Sequence, residues 1–225
     1  MKVIAVILHF GNVKFTIDCY NDLKSQEGGV ITDIIIVDND KENPLNLLPS
    51  SGLTILINEN NDGYAKGNNL ALRYISENLD CDYVIIANND IHLPQKTIVS
   101  QLLDELRASG SKAISPLLKK KVTESTPLVV YSRFYNKIFK ALNEHGTLVH
   151  SEMLSGCFML IDFNVFKAID FIDESFFMYG EDIDLSYRIV KESYKNFYFP
   201  SVFPVTSVLK PSVPSARYIR NRTAR

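Results

Sequence analysis

The sequence predicts an α/β fold, with a mostly parallel central sheet and helices on both faces. Three observations carry this. Short runs rich in Ile and Val alternate with helix-patterned segments through the first half of the chain. Those runs are nearly continuous in apolar residues, the mark of strands covered on both faces. And three of them stop abruptly in polar residues, at His9–Asn12, Asp38–Asp40 and Asn88–Asp90. Ligands gather beyond the carboxyl ends of strands in such sheets, so three polar strand ends at one edge suggest a polar crevice.

Taken in order, "VIAVILHF" reads as the first strand and "FTIDCYNDLKSQ" as a helix. "DIIIVDND" and "LTILIN" are strands. "NENNDGYAKGNN", Asn58 to Asn69, reads as a Gly- and Asn-rich loop leading into the helix "NNLALRYISENL", where Leu72, Ile75 and Leu79 share one face. "DYVIIANND" is the next strand. "PQKTIVSQLLDELRAS" is a helix with Pro94 near its start, and "KAISPLL" a short strand. Residues 119–152 mix charge and aromatics without a period, as a variable insertion over the site would. Then "EMLSGCFMLID" is a strand, "FNVFKAI" a short helix, "EDIDLSYRIVKESY" a longer helix and "NFYFP" a closing strand. The expected organisation is one domain, 1–225, with halves 1–118 and 153–225 around the insertion.

At 225 residues, 46% hydrophobic and 22% charged, the chain has enough material for a sizeable core. A net charge of −2 provides no basic field for nucleic acid. Cys19, Cys81 and Cys157 are odd in number and far apart, which suits a reducing, cytoplasmic setting. The apolar run at the N-terminus is too short for a membrane span and lacks a cleavage site, so it reads as a strand rather than a signal peptide. Arg217, Arg220, Arg222 and Arg225 make the C-terminus basic. That tail is either a solvated end or a contact with phosphate or the inner face of a membrane.

Two motifs carry chemistry. In the Asn58–Asn69 stretch, Gly63 and Gly67 permit close backbone approach, Lys66 adds a positive charge, and the helix beyond offers free N–H groups to an anion. The pattern is neither GxxxxGK[ST] nor GxGxxG, and taken alone the stretch reads better as a plain turn with a helix cap. In "FFMYGEDIDLSYRI", Gly180 breaks the chain before Glu181, Asp182 and Asp184. Acids there stabilise the helix dipole by about 0.3–1 kcal/mol each. Asp182 also shares a helical face with Leu185 and Ile189, so its carboxylate sits at the rim of a packed face, where partial desolvation suits a general base.

The ordered set "VILHFGN", "TIDCYNDL", "IIIVDND", "NENNDGYAKGNN", "DYVIIANND", "LSGCFMLI" and "DESFFMYGEDIDLSYRIVKESY" resembles the inverting family 2 glycosyltransferases of the Rossmann-like GT-A fold, near their rhamnosyltransferase-like members. The resemblance covers residues 3 to about 200. It implies a nucleotide-diphosphate sugar donor, with His9, Phe10, Asp38 and Asn39 near the nucleotide and Gly63, Lys66 and Asn69 bordering the donor. Asn88, Asn89 and Asp90 fall at the family's DxD-like position, so that Asp90 would hold a divalent metal, Mg2+ or Mn2+. Ser155, Gly156 and Tyr179 fall on the acceptor side. Asp182, with Glu181 beside it, matches the acid that deprotonates the acceptor hydroxyl. The acceptor implied is a saccharide or lipid-linked saccharide of a surface polysaccharide. The chain departs from the pattern at Pro204, near the place where relatives usually carry a histidine, and none of His9, His92, His145 and His150 obviously replaces it. A nucleotidyltransferase would need a basic Gly-rich loop after the first strand, which "HFGNVKF" does not provide. A nucleotide-sugar-binding relative that no longer catalyses transfer, or a partner subunit of another transferase, is the alternative.

Overall fold

The computed structural model describes residues 1–120, 149–151, 153–192 and 194–206. Nearly all of the expected insertion and the whole basic tail lie outside the described residues. The strands are β1 (Val3–His9), β2 (Ile31–Asp38), β3 (Leu53–Ile57), β4 (Tyr83–Asn88), β5 (Ala113–Lys120), β6 (Val149–His150), β7 (Phe158–Asp162) and β8 (Asn196–Thr206). They form one sheet in the order β3-β2-β1-β4-β7-β5-β8-β6. Strands β3, β2, β1 and β4 are parallel, while β7 runs against both β4 and β5.

The helices are α1 (Val13–Lys24), α2 (Gly63–Asn78), α3 (Ile98–Ser109), α4 (Phe163–Ala168) and α5 (Glu181–Lys191). Every residue of β1 is buried, and its alternate side chains serve two cores. Ile4, Val6 and Leu8 pack with Ala65, Leu72 and Ile75 of α2 and with Leu185 and Ile189 of α5. Val3, Ala5 and Ile7 pack with Cys19 and Leu23 of α1 and with Leu102 and Leu106 of α3. Burying an Ile or Leu side chain is worth about 1.5–3 kcal/mol, so a strand apolar on both faces is driven to the centre of the sheet.

This arrangement makes the site. From β1 the chain turns to β2 on one side by way of α1, and β4 joins β1 on the other side by way of α2. The carboxyl ends of β1 and β4 therefore diverge at a topological switch point, where a crevice opens. Because β7 is antiparallel, its amino end lies beside the carboxyl end of β4, with Phe158 opposite Ala87. Ser155, Gly156 and Cys157 are thus delivered to the same crevice.

Several boundaries differ from those read in the sequence. Helix α1 starts at Val13 because the Asn12 side chain accepts a hydrogen bond from Lys14 N at 2.9 Å and caps it. Helix α2 starts at Gly63, so half of the supposed loop is helix. Its Gly67 packs so closely on β1 that a Cβ there would lie 2.5 Å from Leu8 Cδ1. Helix α3 starts at Ile98, because the preceding residues are tied to the end of α1: Gln26 Nε2 donates to Gln95 O and Glu27 N to Lys96 O. Strand β7 is shorter than expected, since Met153–Cys157 is a loop, and β8 runs on past Pro200 to Thr206, with Pro204 in register with Lys119.

Candidate active site

The polar strand ends are joined by a hydrogen-bonded frame. His9 is fully buried at the end of β1. Its Nε2 lies 2.8 Å from the Asn43 carbonyl and must donate, so Nδ1 accepts from the Thr16 hydroxyl at 2.6 Å. Thr16 Oγ1 in turn accepts from Asn89 Nδ2 at 3.0 Å, and the same amide donates to Phe10 O at 2.9 Å. The His9 ring, which the resemblance implied would lie near the nucleotide, thus has no free nitrogen to offer a ligand. Both its nitrogens are used, and it braces the loops after β1, β2 and β4 against one another. Phe10, 44% exposed, is the residue that this brace presents to solvent.

A second frame lies beyond β2. Asp38 Oδ2 accepts from Leu45 N at 2.7 Å, and Asp40 accepts from Gly11 N at 2.8 Å and from both nitrogens of Asn43. Burial pushes the Asp40 carboxyl up, but these hydrogen bonds outweigh it and hold the group below the usual carboxylate range. Asn39 is buried, with Oδ1 accepting from Asn58 Nδ2 at 2.6 Å and Nδ2 donating to Asn61 Oδ1 at 2.8 Å. Asn61 Oδ1 also accepts from Gly63 N at 3.2 Å. The Asn-rich stretch is thus a chain of amides that fixes the start of α2 to the end of β2. Asp38, Asp40, Lys41, Leu45, Ile57 and Glu59 line a depression of about 380 Å³ beside it.

On α2 the donor-border residues separate. Lys66 is exposed. Asn69 is buried and does not face the crevice: its Nδ2 donates to Ile172 O (2.7 Å) and Glu174 Oε1 (2.9 Å), and its Oδ1 accepts from Ile172 N (3.1 Å). It clamps the segment leading to the aromatic approach. Gly63 has φ +91°, and a Cβ there would lie 2.2 Å from the Phe177 carbonyl oxygen. Tyr64 N donates to that same oxygen at 2.7 Å.

Asp90 follows the end of β4, half-buried, with Asn88 and Asn89 before it. Asn88 N is held by Cys157 O at 2.9 Å. Desolvation pushes the Asp90 carboxyl up to about 6, with only its own backbone N–H acting the other way. A carboxylate desolvated without a cation beside it fits a divalent ion. Among the described residues no three His, Cys, Asp or Glu side chains gather as a preformed cage. A divalent ion at Asp90 would therefore draw its remaining ligands largely from water and phosphate, as suits Mg2+.

The 155–157 loop, bonded to the end of β4 through Cys157 O, also reaches the acid pair. Asp182 is half-buried, and its Oδ2 accepts from Gly156 N at 3.2 Å while Oδ1 accepts from Ile183 N at 2.9 Å. A Cβ on Gly156 would lie 3.1 Å from Asp182 Cβ, close enough to push Asp182 aside by a few tenths of an ångström. Burial pushes the neighbouring Cys157 thiol up to about 11, with Asp90, Asp182 and Glu181 adding to the rise and the Ser155 hydroxyl opposing it. The charges of one carboxylate after β4 and two at the start of α5 thus all bear on one thiol. Glu181, by contrast, is buried at 7% exposure, and burial first, then Asp182, pushes it up to about 7. Tyr179, with φ +68°, is 65% exposed.

Tyr64 was not singled out in the sequence. Its hydroxyl donates to Gly156 O at 2.5 Å, joining α2 to the loop whose Gly156 N holds Asp182. An aromatic inside a Gly- and Asn-rich stretch was the available signal.

The glycosyl transferase family 2 model matches residues 5–170. The chain is 29% identical over 178 residues to the low-salt glycan biosynthesis hexosyltransferase Agl10 of Haloferax volcanii, covering 76% of this chain and 57% of that protein. It is 27% identical over 156 residues to the rhamnosyltransferase WbbL of Escherichia coli K12, covering 62% of this chain and 58% of that protein. It therefore spans under three-fifths of the length of these curated relatives. The fold is that of GT-A glycosyltransferases. The mannosyltransferase PcManGT from Pyrobaculum calidifontis, solved in complex with GDP-Man and Mn2+, superposes with a TM-score of 0.69 at 15% identity, over 93% of this chain and 58% of that one. GalNAc-T7, solved with UDP, GalNAc and Mn2+, gives 0.66 at 12% identity, over 92% and 44%. With a match that takes in β1, the switch-point crevice and the β7 loop, this chain belongs to glycosyl transferase family 2.

Proposed function

We propose that the protein transfers a sugar from a nucleotide-diphosphate sugar to a saccharide acceptor, free or lipid-linked, with inversion. The observation that carries this is the 155–157 loop, where Gly156 N binds Asp182 Oδ2 and Cys157 O holds Asn88 N, so that Asp182 and the end of β4 that carries Asp90 meet at one loop. The relatives' hexosyl- and rhamnosyltransferase names, and the nucleotide, sugar and Mn2+ in the neighbouring structures, support the same reading.

Each residue has a task under this reading. The depression beyond Asp38 and Asp40 takes the nucleotide, and Phe10 borders it. Asp90 would hold a Mg2+ or Mn2+ ion together with diphosphate oxygens and water. When bound, the ion supplies charge neutralisation for the leaving diphosphate. Asp182, aimed by Gly156 N and Ile183 N, accepts the proton of the acceptor hydroxyl. The hydroxyl oxygen forms the new bond to the anomeric carbon as the bond to the diphosphate breaks and its electron pair leaves with the phosphate. Base and leaving group stand on opposite sides of the sugar, so one displacement inverts the centre and no covalent sugar–enzyme intermediate forms. Ser155, Gly156 and Tyr179 frame the acceptor side.

The test is Asp182→Asn, with transfer and donor binding measured separately. Transfer should fall by at least ~10²-fold, the scale of general-base catalysis, while donor affinity holds. Unaltered turnover removes Asp182 as the base. Donor binding without transfer in the wild type would favour the binding-protein reading, for which Pro204 near the usual histidine position is the supporting observation.

A further inference from the structure

The acid pair contains one group that the transfer step does not use. Glu181 is 7% exposed, and its Oε2 has no hydrogen-bond partner among the described residues. Asn68, fully buried, gives its Nδ2 to the Tyr64 carbonyl at 2.9 Å and leaves its Oδ1 without a donor. Both acceptors flank Tyr64. Asn68 lies one turn along the same helix, and Glu181 is the carboxylate that weighs most on the Tyr64 phenol. Tyr64 has already given its only side-chain hydrogen to Gly156 O. The shell thus holds two unsatisfied acceptors, an arrangement that folded proteins avoid.

Among the described residues, the groups that bear on Glu181 offer no cation. Tyr64 faces it from α2, Cys157 from the loop before β7, and Asp182 from its own helix. Asp184, also on that helix, is paired with Arg188. The guanidinium of Arg188 is directed elsewhere, with Nε on Asp184 and Nη1 on the carbonyls of Ile169 and Phe171.

We propose that Glu181 is a positioning residue that works in its protonated form: its carboxyl hydrogen adds a donor to a buried shell with two unpartnered acceptors, and its neutrality leaves Asp182 as the one negative charge of the pair at the rim. The inference rests on the reading of Asp182 as base and deepens it. Desolvation by burial, with Asp182 adjacent, points the same way, pushing Glu181 up to about 7 against the backbone N–H groups of Glu181 and Tyr179. A second charge one residue from the base would have to be carried in a desolvated shell. Neutral Glu181 removes that cost and keeps Tyr64, and through it Gly156, in place.

The test has two arms on the full chain. In the first, carboxyl resonances of 13C-glutamate-labelled protein are followed by NMR through neutral pH. One carboxyl should titrate near pH 7 in the wild type and in Asp182→Asn, and be missing from Glu181→Gln. In the second, pH profiles of transfer are compared for the wild type, Glu181→Gln and Glu181→Ala. Glu181→Gln, which keeps a neutral donor, should recover at least tenfold of the turnover lost in Glu181→Ala and should lack the fall in activity above pH 7. The proposal is overturned if no glutamate signal that titrates near neutral disappears in Glu181→Gln, or if Gln is no better than Ala. The NMR arm decides the state of Glu181 without catalysis and without the Ala variant. If Asp182→Asn transfers normally while the titration is present, it is the base assignment that has failed.

Discussion

Replacing Gly63 by alanine tests how the crevice is held together. Gly63 has φ +91°, and its missing Cβ would stand 2.2 Å from the Phe177 carbonyl oxygen and 2.8 Å from its carbon. Gly29, with φ +58° and nothing within 4 Å of its would-be Cβ, is the matched control. Both substitutions force an L-residue into the left-handed region, which costs about 1–2 kcal/mol. Only at Gly63 must a backbone carbonyl also retreat, by about 1 Å to reach ordinary contact. That retreat breaks the 2.7 Å hydrogen bond from Tyr64 N, worth about 1 kcal/mol or more where the groups are shielded from water. Gly63→Ala should therefore lose about 2–4 kcal/mol in urea unfolding and Gly29→Ala only about 1–2. The displaced segment carries Tyr179 and the start of α5, so Gly63→Ala should also lower transfer. Equal losses at the two positions would refute the reasoning, because they would show that the contact with Phe177 contributes nothing.

Other outcomes follow from the same geometry. Asn69→Ala strips three hydrogen bonds from the buried Ile172–Glu174 clamp and should cost about 2–4 kcal/mol by thermal or urea unfolding, with donor affinity little altered. Gly156→Ala places a Cβ 3.1 Å from Asp182 Cβ and should lower turnover more than donor affinity, as read by kinetics and calorimetry. Glu181 takes up its proton more readily in the folded protein, about 7 against 4.5. The protonated group carries no penalty below about pH 4.5, and stability is lost as pH rises from there to about 7. Glu181→Gln cannot ionise, so between about pH 5 and pH 8 it should gain roughly 2–3 kcal/mol on the wild type in urea unfolding; a difference that does not vary with pH would contradict the buried, proton-holding carboxyl.

The parallel half of the sheet was legible because its strands are apolar on both faces, and the polar ends of β1, β2 and β4 marked the crevice because a buried strand has no other reason to stop in Asn and Asp. The corner at Gly180 was legible too, as a glycine before three acids. What was not legible depends on partners distant in the chain. Tyr64 finds Gly156 92 residues away. Asn69 finds Ile172 at a separation of 103 residues. The bracing role of His9 likewise depends on Asn43, 34 residues away, and leaves no mark in the motif. Gly63–Asn69 read as loop because Gly and Asn have low helix propensity, and tertiary packing of Gly67 on Leu8 overrides it. The antiparallel direction of β7, which brings Gly156 to Asp182, leaves no trace in an apolar run.

The central claim is that the switch-point crevice takes a nucleotide-diphosphate sugar with a divalent ion held at Asp90. Calorimetric titration of a panel of UDP-, GDP- and dTDP-sugars, with and without Mn2+, tests it most directly. At least one donor should bind, at least tenfold more tightly with Mn2+, and Asp90→Ala should erase the metal's contribution while leaving the weaker metal-free binding. The same affinity with and without Mn2+, or an undiminished Mn2+ effect in Asp90→Ala, would contradict it.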